Sequence, residues 1–195
     1  MMRAGTTLCA GIVAAGMAVT PAFSDELSDK SVRTFMSYAW SMVPQQFTPP
    51  SGKTIVIDKS KPDAVAVPVE VAREIIRVGR LSAHAQICDL PEDQTMNYRS
   101  MMKRETLKSK WSPQQMVFIN QLHLTTVMLL TGKIKVTVKD GDKEVVIDDG
   151  SKAKAQTCSD EQKTKVKEVI TAYVKAGPDL ASAPAKAKPR AAAQE

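Results

Sequence analysis

Aromatic side chains make up only 5% of this 195-residue chain, which holds just two histidines and three cysteines. Each shortage closes off some chemistry. Proteins that bind nucleic acid gather basic charge on one face and interleave it with stacking aromatics. Here 27 Lys and Arg are dispersed among 21 Asp and Glu, so no nucleic-acid partner is expected. Cys-x-x-Cys, Cys-x-x-Cys-His, His-Glu-x-x-His, Gly-x-Ser-x-Gly and glycine-rich phosphate loops are absent, as is any Ser-x-x-Lys accompanied by its partner motifs. Their absence disfavours the common hydrolase and redox folds. We expect no enzyme and no cofactor; a hydrolase would need His84 or His123 to meet a serine and a carboxylate from elsewhere in the chain.

Long apolar runs are also scarce. The uncharged stretch Leu8 to Val19 is about a dozen residues, against the roughly 20 that span a hydrocarbon core. Arg3 precedes it, Ala22 and Ser24 fall at minus three and minus one of a cut after Ser24, and Asp25-Glu26 follow. Residues 1–24 therefore read as a cleavable secretory signal peptide. Cys9 lies before the apolar run rather than closing it, which argues against lipidation. The expectation is a periplasmic or secreted protein, not an integral membrane one. Losing the leader removes only Arg3 among charged residues, so the net charge of +6 becomes +5. In an envelope setting that mild basicity makes an anionic surface an accessible partner, although solubility alone accounts for it.

Without Cys9, the mature chain keeps Cys88 and Cys158, an even number in an oxidising compartment, and we expect them to be bonded. A loop of about 70 residues closed this way contributes roughly 4 kcal/mol in the chain-entropy model. The competing use is a metal site, since His84 lies one turn before Cys88 and His123 can add a ligand. That spacing matches no compact finger, so no metal is assigned.

Helical periodicity is the main structural signal. Val32, Phe35, Met36, Ala39, Trp40 and Val43 define a first amphipathic helix that Pro44 ends. A proline-rich connection follows, interrupted by a β-like run at Thr54 to Ile57. Val71, Ile75, Val78, Leu81, Ala85 and Cys88 mark a second helix over 69–88. Asp89 is placed to cap a third, running to about Lys108. Ser112-Pro113-Gln114-Gln115 has the form of a capping box opening a fourth and central helix, which Gly132 ends. Residues 133–149 alternate as a β-hairpin insertion, with Thr54 to Ile57 available as a third strand. Ser159 to Gln162 opens a last helix to about Ala176. From Gly177 the Ala/Pro/Lys composition predicts a disordered tail. The fold class is thus mainly α: a single domain over 25–176, about five helices with a hairpin or three-stranded element.

The stretch with Ile87-Cys88-Asp89-Leu90, Asn97-Tyr98-Arg99-Ser100-Met101-Met102, Glu105, Ser112-Pro113-Gln114-Gln115, Asn120, His123 and Cys158 resembles uncharacterised secreted helical proteins of alphaproteobacteria. The resemblance covers about half of the chain and implies a periplasmic, helical protein, with no activity to transfer. The hairpin stands as an insertion relative to that pattern.

Candidate contact residues fall in two groups. Arg73, Arg77, Arg80 and His84 recur at helical spacing as a basic stripe; Glu70 and Glu74 can pair with the first two, while Arg80 has no carboxylate three or four residues away. A solvated face is the plainer reading, an anion site the sharper one. Asn120 and His123 lie one turn apart on the central helix. The plainer account there is a buried histidine bonded to a backbone carbonyl or to Asn120, the sharper one a ligand site. Methionines 96, 101, 102, 116 and 128 fit core filling better than copper carriage. The expected function is a non-enzymatic envelope protein acting through an envelope protein or anionic surface. Its rivals are a small-ligand or metal binder using the interior between the second and fourth helices, and an unrecognised hydrolase.

Overall fold

A computed structural model describes residues 27–49, 52–134, 136–140, 143–148 and 158–180, with 136–140 and 143–148 described by backbone alone. The expected leader and the chain beyond 180 lie outside the described residues.

Helix α1 (Asp29–Met42) opens where the Ser28 hydroxyl accepts the Ser31 N–H at 3.2 Å, and it buries Val32 and Ala39. Its final carbonyls would be orphaned at the turn. The Lys59 ammonium takes the Trp40 and Val43 carbonyls, the latter at 2.9 Å, and lies 4.3 Å from the Trp40 ring centroid. Strands β1 (Gln46–Phe47) and β2 (Ile55–Val56) pair antiparallel, Gln46 opposite Val56. Their sheet is separate from the distal hairpin. The expectation that 54–57 would join that hairpin is thus corrected: β2 finds a partner only a short turn away in β1, which the proline-rich connection hid from a strand pattern.

A single turn, α2 (Pro62–Val65), leads to α3 (Val69–Ile87), α4 (Pro91–Leu107) and α5 (Pro113–Leu130). The expected capping box of α5 is present in both directions, with Ser112 Oγ accepting from Gln115 N and Gln115 Oε1 accepting from Ser112 N. The expected cap of α4 is not. Asp89 sits in the left-handed region (φ 55) and closes α3 instead, with Leu90 N bonded to Ala85 O and Asp89 N to Gln86 O. This is the two-bond C-terminal motif usually built on glycine. Gly132 (φ 66) closes α5 with the equivalent pair, from Lys133 N and Gly132 N.

The core forms where α3 and α5 cross and α1 covers them, around Val32, Ile75, Ile76, Met101, Phe118, Ile119 and Leu122. The crossing is close: a Cβ on Gly79 would come within 2.8 Å of the Thr126 Cβ, so α3 needs glycine there. The hairpin is formed by β3 (Val136–Asp140) and β4 (Lys143–Asp148), antiparallel as expected. Helix α6 (Asp160–Lys175) starts at a second capping box, Ser159 with Gln162. Val166 and Ile170 pack on Ala85, Cys88 and Leu90. Cys88 and Cys158 are disulfide-bonded, their Cα atoms 4.9 Å apart.

The expected tail begins too early at Gly177. A Cβ there would meet Arg104 Nη2 and Ser100 Oγ within 3 Å, and Lys103 donates to the Asp179 carbonyl, so α4 holds the chain past α6. Among the described residues no helix is long and apolar enough to cross a membrane.

Candidate functional site

Helix α3 presents one candidate site toward α4 and α5 and another toward α6. On the first side, Ser82 is fully buried and its Oγ lies 3.0 Å from His123 Nε2. Asn97, also fully buried, donates through Nδ2 to Ser82 Oγ at 2.9 Å and to the Val78 carbonyl at 3.0 Å. Ser82 Oγ, with two acceptor lone pairs and one proton, can meet His123 Nε2 in either direction, according to the tautomer. Burial favours the neutral ring, pushing His123 down to about 4.

A hydroxyl and an imidazole at this distance have the geometry of a nucleophile and its base. A nucleophile must also meet its substrate, and Ser82 has no exposed surface in mid-helix. The pair acts as packing: Ser82 Oγ, His123 Nε2 and Asn97 Nδ2 find partners inside the core, while Asn97 Oδ1 has none among the described residues.

Outside this network Tyr98 stacks at a tilt on His123, ring centroids 5.2 Å apart, and its hydroxyl donates to Asn120 Oδ1 at 2.8 Å. Gln94 donates to Gln86. These residues, with Leu124, Met128 and Lys133, line an open cleft of about 430 Å³. Asn120 and His123 do reach one cleft, but they do not bond to each other; Asn120 serves Tyr98, and His123 serves Ser82. The expected bond to Asn120 or to a carbonyl is replaced by a serine 41 residues away in sequence.

On the other side, Arg77, Arg80, Leu81 and His84 of α3 face Val169, Ala172 and Tyr173 of α6 across a groove of about 300 Å³. The disulfide joins the end of α3 to the start of α6, so α3 runs toward the bridge and α6 away from it. Spacings of three and four on both helices then put these side chains along one antiparallel seam. The seam's lining is predominantly apolar, with Val169 at 41% exposure. Tyr173 forms one wall, held from behind by the Arg104 guanidinium 4.4 Å from its ring centroid; burial pushes its hydroxyl up to about 12.

The expected basic stripe is divided by its surroundings. Arg73 leaves it, bonding to the Leu27 carbonyl and to Asp29 at the start of α1; those partners, more than forty residues upstream, were invisible to local spacing. Arg77 is clasped by Glu74 through two bonds of 2.9 and 2.7 Å. Burial, and then the Arg80 charge, holds the His84 imidazole below its usual range. Among the described residues no carboxylate pairs with Arg80.

Sequence reasoning missed Ser82, Asn97 and Tyr173 as parts of these sites. Only Asn97-Tyr98, already noted as a motif, carried a signal for the first. Val169, apolar and at helical spacing on α6, lines the groove with much of its surface exposed. Of the methionines expected as core filling, Met101 is buried and Met102 and Met116 pack against the core, whereas Met96 is 39% exposed and Met128 lines the cleft. No group of three or more His, Cys, Asp or Glu among the described residues could hold a metal ion. Comparison with protein-family models, curated proteins and solved structures gives no match.

Proposed function

We propose that this is a non-enzymatic protein of the cell envelope that docks on an anionic surface through the groove between α3 and α6. The observation that carries the reading is the rim of that groove: Arg77, Arg80 and His84 stand over an apolar floor, and Glu74 is the carboxylate bonded there. Helix α6 adds Lys163, Lys165, Lys167 and Lys175 against Asp160, Glu161 and Glu168, so the flank is basic as well. The leader-like residues 1–24 and the Cys88–Cys158 pair support the envelope setting. The small-ligand reading at Asn120 and His123 is weaker, because both residues already serve protein partners.

Flotation with phosphatidylglycerol vesicles, and with phosphatidylcholine vesicles as the neutral control, tests this. A cation near an anionic surface contributes about 1 kcal/mol, and Arg80→Glu both removes one and opposes the surface. We expect binding to the anionic vesicles alone, weakened more than about tenfold by the reversal. Binding that ignores the vesicle charge, or that Arg80→Glu leaves intact, contradicts the reading.

A further inference from the structure

The groove has a more specific chemistry than a basic patch. Its charges largely cancel: Arg77 is neutralised by a two-bond pair with Glu74, and His84 is held toward its neutral form by burial, which leaves Arg80 as the cation without a carboxylate among the described residues. The rest of the lining is Leu81, Val78, Val169, Ala172 and the Tyr173 ring. A volume of about 300 Å³ lies at the small end of ligand sites, which run from about 300 to 1,000 Å³. It suits one hydrocarbon chain and not two.

We propose that the α3/α6 groove takes one acyl chain of a monoanionic phospholipid, with the chain along Leu81, Val169, Ala172 and Tyr173 and the headgroup phosphate on Arg80. This rests on the reading that the groove meets an anionic surface, and it adds that a chain enters. Charge complementarity selects this occupant over the chain's own C-terminal segment, whose Lys186, Lys188 and Arg190 outnumber Glu195 and bring the wrong sign to Arg80. A second copy would bring the same basic flank against itself.

The test uses the full mature chain and monomeric lysophosphatidylglycerols carrying acyl chains of increasing length, followed by amide and methyl chemical shifts. Each buried methylene is worth about 0.8 kcal/mol, which is about fourfold in affinity per methylene. Saturable one-to-one binding is expected, with shifts centred on Leu81, Val169, Ala172 and Tyr173 and affinity rising with chain length until the groove is filled. Ala172→Trp, at an exposed helix position, puts a large ring into the groove and keeps the arginine at 80. It should abolish the lysolipid shifts and weaken vesicle flotation. Retained flotation in Ala172→Trp together with loss in Arg80→Glu leaves the surface reading intact and overturns chain entry. Intact flotation in Arg80→Glu removes the surface reading itself. Affinity independent of chain length, or a dimer in sedimentation that Ala172→Trp disrupts, also overturns the proposal.

Discussion

On its α4/α5 side, helix α3 buries Ser82 completely and gives it partners in both Asn97 and His123; on its α6 side, two residues earlier, it leaves Arg80 over an apolar groove with no carboxylate bonded to it among the described residues. Around Ser82 the first side is closed by packing, because Gly79 lets α5 approach until nothing larger fits. The second is closed by few buried side chains, chiefly Val166 and Ile170, and by a disulfide. The contrast separates polar residues that complete a fold from charged residues that face outward. Both sets sit at helical spacing and look equivalent along the chain.

The largest expected effect strikes the covalent side of the comparison. Replacing both Cys88 and Cys158 by serine opens a loop of 70 residues and should lower stability by about 4 kcal/mol in chemical denaturation. A loss below about 1 kcal/mol would mean that α6 is held by its packing, and the contrast between the two sides would disappear.

The next effect belongs to the buried network. His123 is depressed from 6.5 to about 4 by burial, so at neutral pH the folded and unfolded states both hold it uncharged and it costs nothing. As the pH falls below 6.5 the unfolded chain takes up the proton and the folded chain does not, so stability declines until about pH 4. The full loss is about 3 kcal/mol. His84 is shifted in the same direction. His123→Gln should remove most of this acid sensitivity, read as the unfolding free energy between pH 7 and 4; an unchanged slope would mean the imidazole is not buried neutral.

Smaller effects sharpen the contrast. Ser112 and Ser159 make the same capping box on α5 and α6, so changing either to alanine should cost about 1 kcal/mol. If hydrogen exchange shows Ser159→Ala loosening α6 alone while Ser112→Ala lowers global stability, the two sides unfold separately. Arg80→Glu should change stability by no more than about 0.5 kcal/mol, as at an ordinary surface position, and leave its effect entirely in binding.

Local chemistry was legible wherever a residue's partner lay within a turn. The boxes at Ser112 and Ser159, the glycine stop at Gly132 and the stripe of α3 all follow from spacings of three and four. Asp89 was misread because aspartate serves both as an N-cap and in the left-handed turn that ends a helix; only the bond from Leu90 N to Ala85 O decides between them. The sites were less legible than the fold, since each is completed from afar. Arg73 is captured by Asp29, His123 by Ser82, and the second wall of the groove comes from α6, about ninety residues beyond α3. A stripe of arginines has the same sequence signature whether a carboxylate or an open groove awaits it.

The most direct measurement of that distinction is flotation on phosphatidylglycerol vesicles of three proteins side by side, each spanning residues 25–195: the wild type, Arg80→Glu and His123→Gln. We predict that His123→Gln floats with the wild type at neutral pH while Arg80→Glu stays behind. The opposite order, with His123→Gln lost and Arg80→Glu retained, would place the working surface on the α4/α5 side and contradict the assignment of the groove.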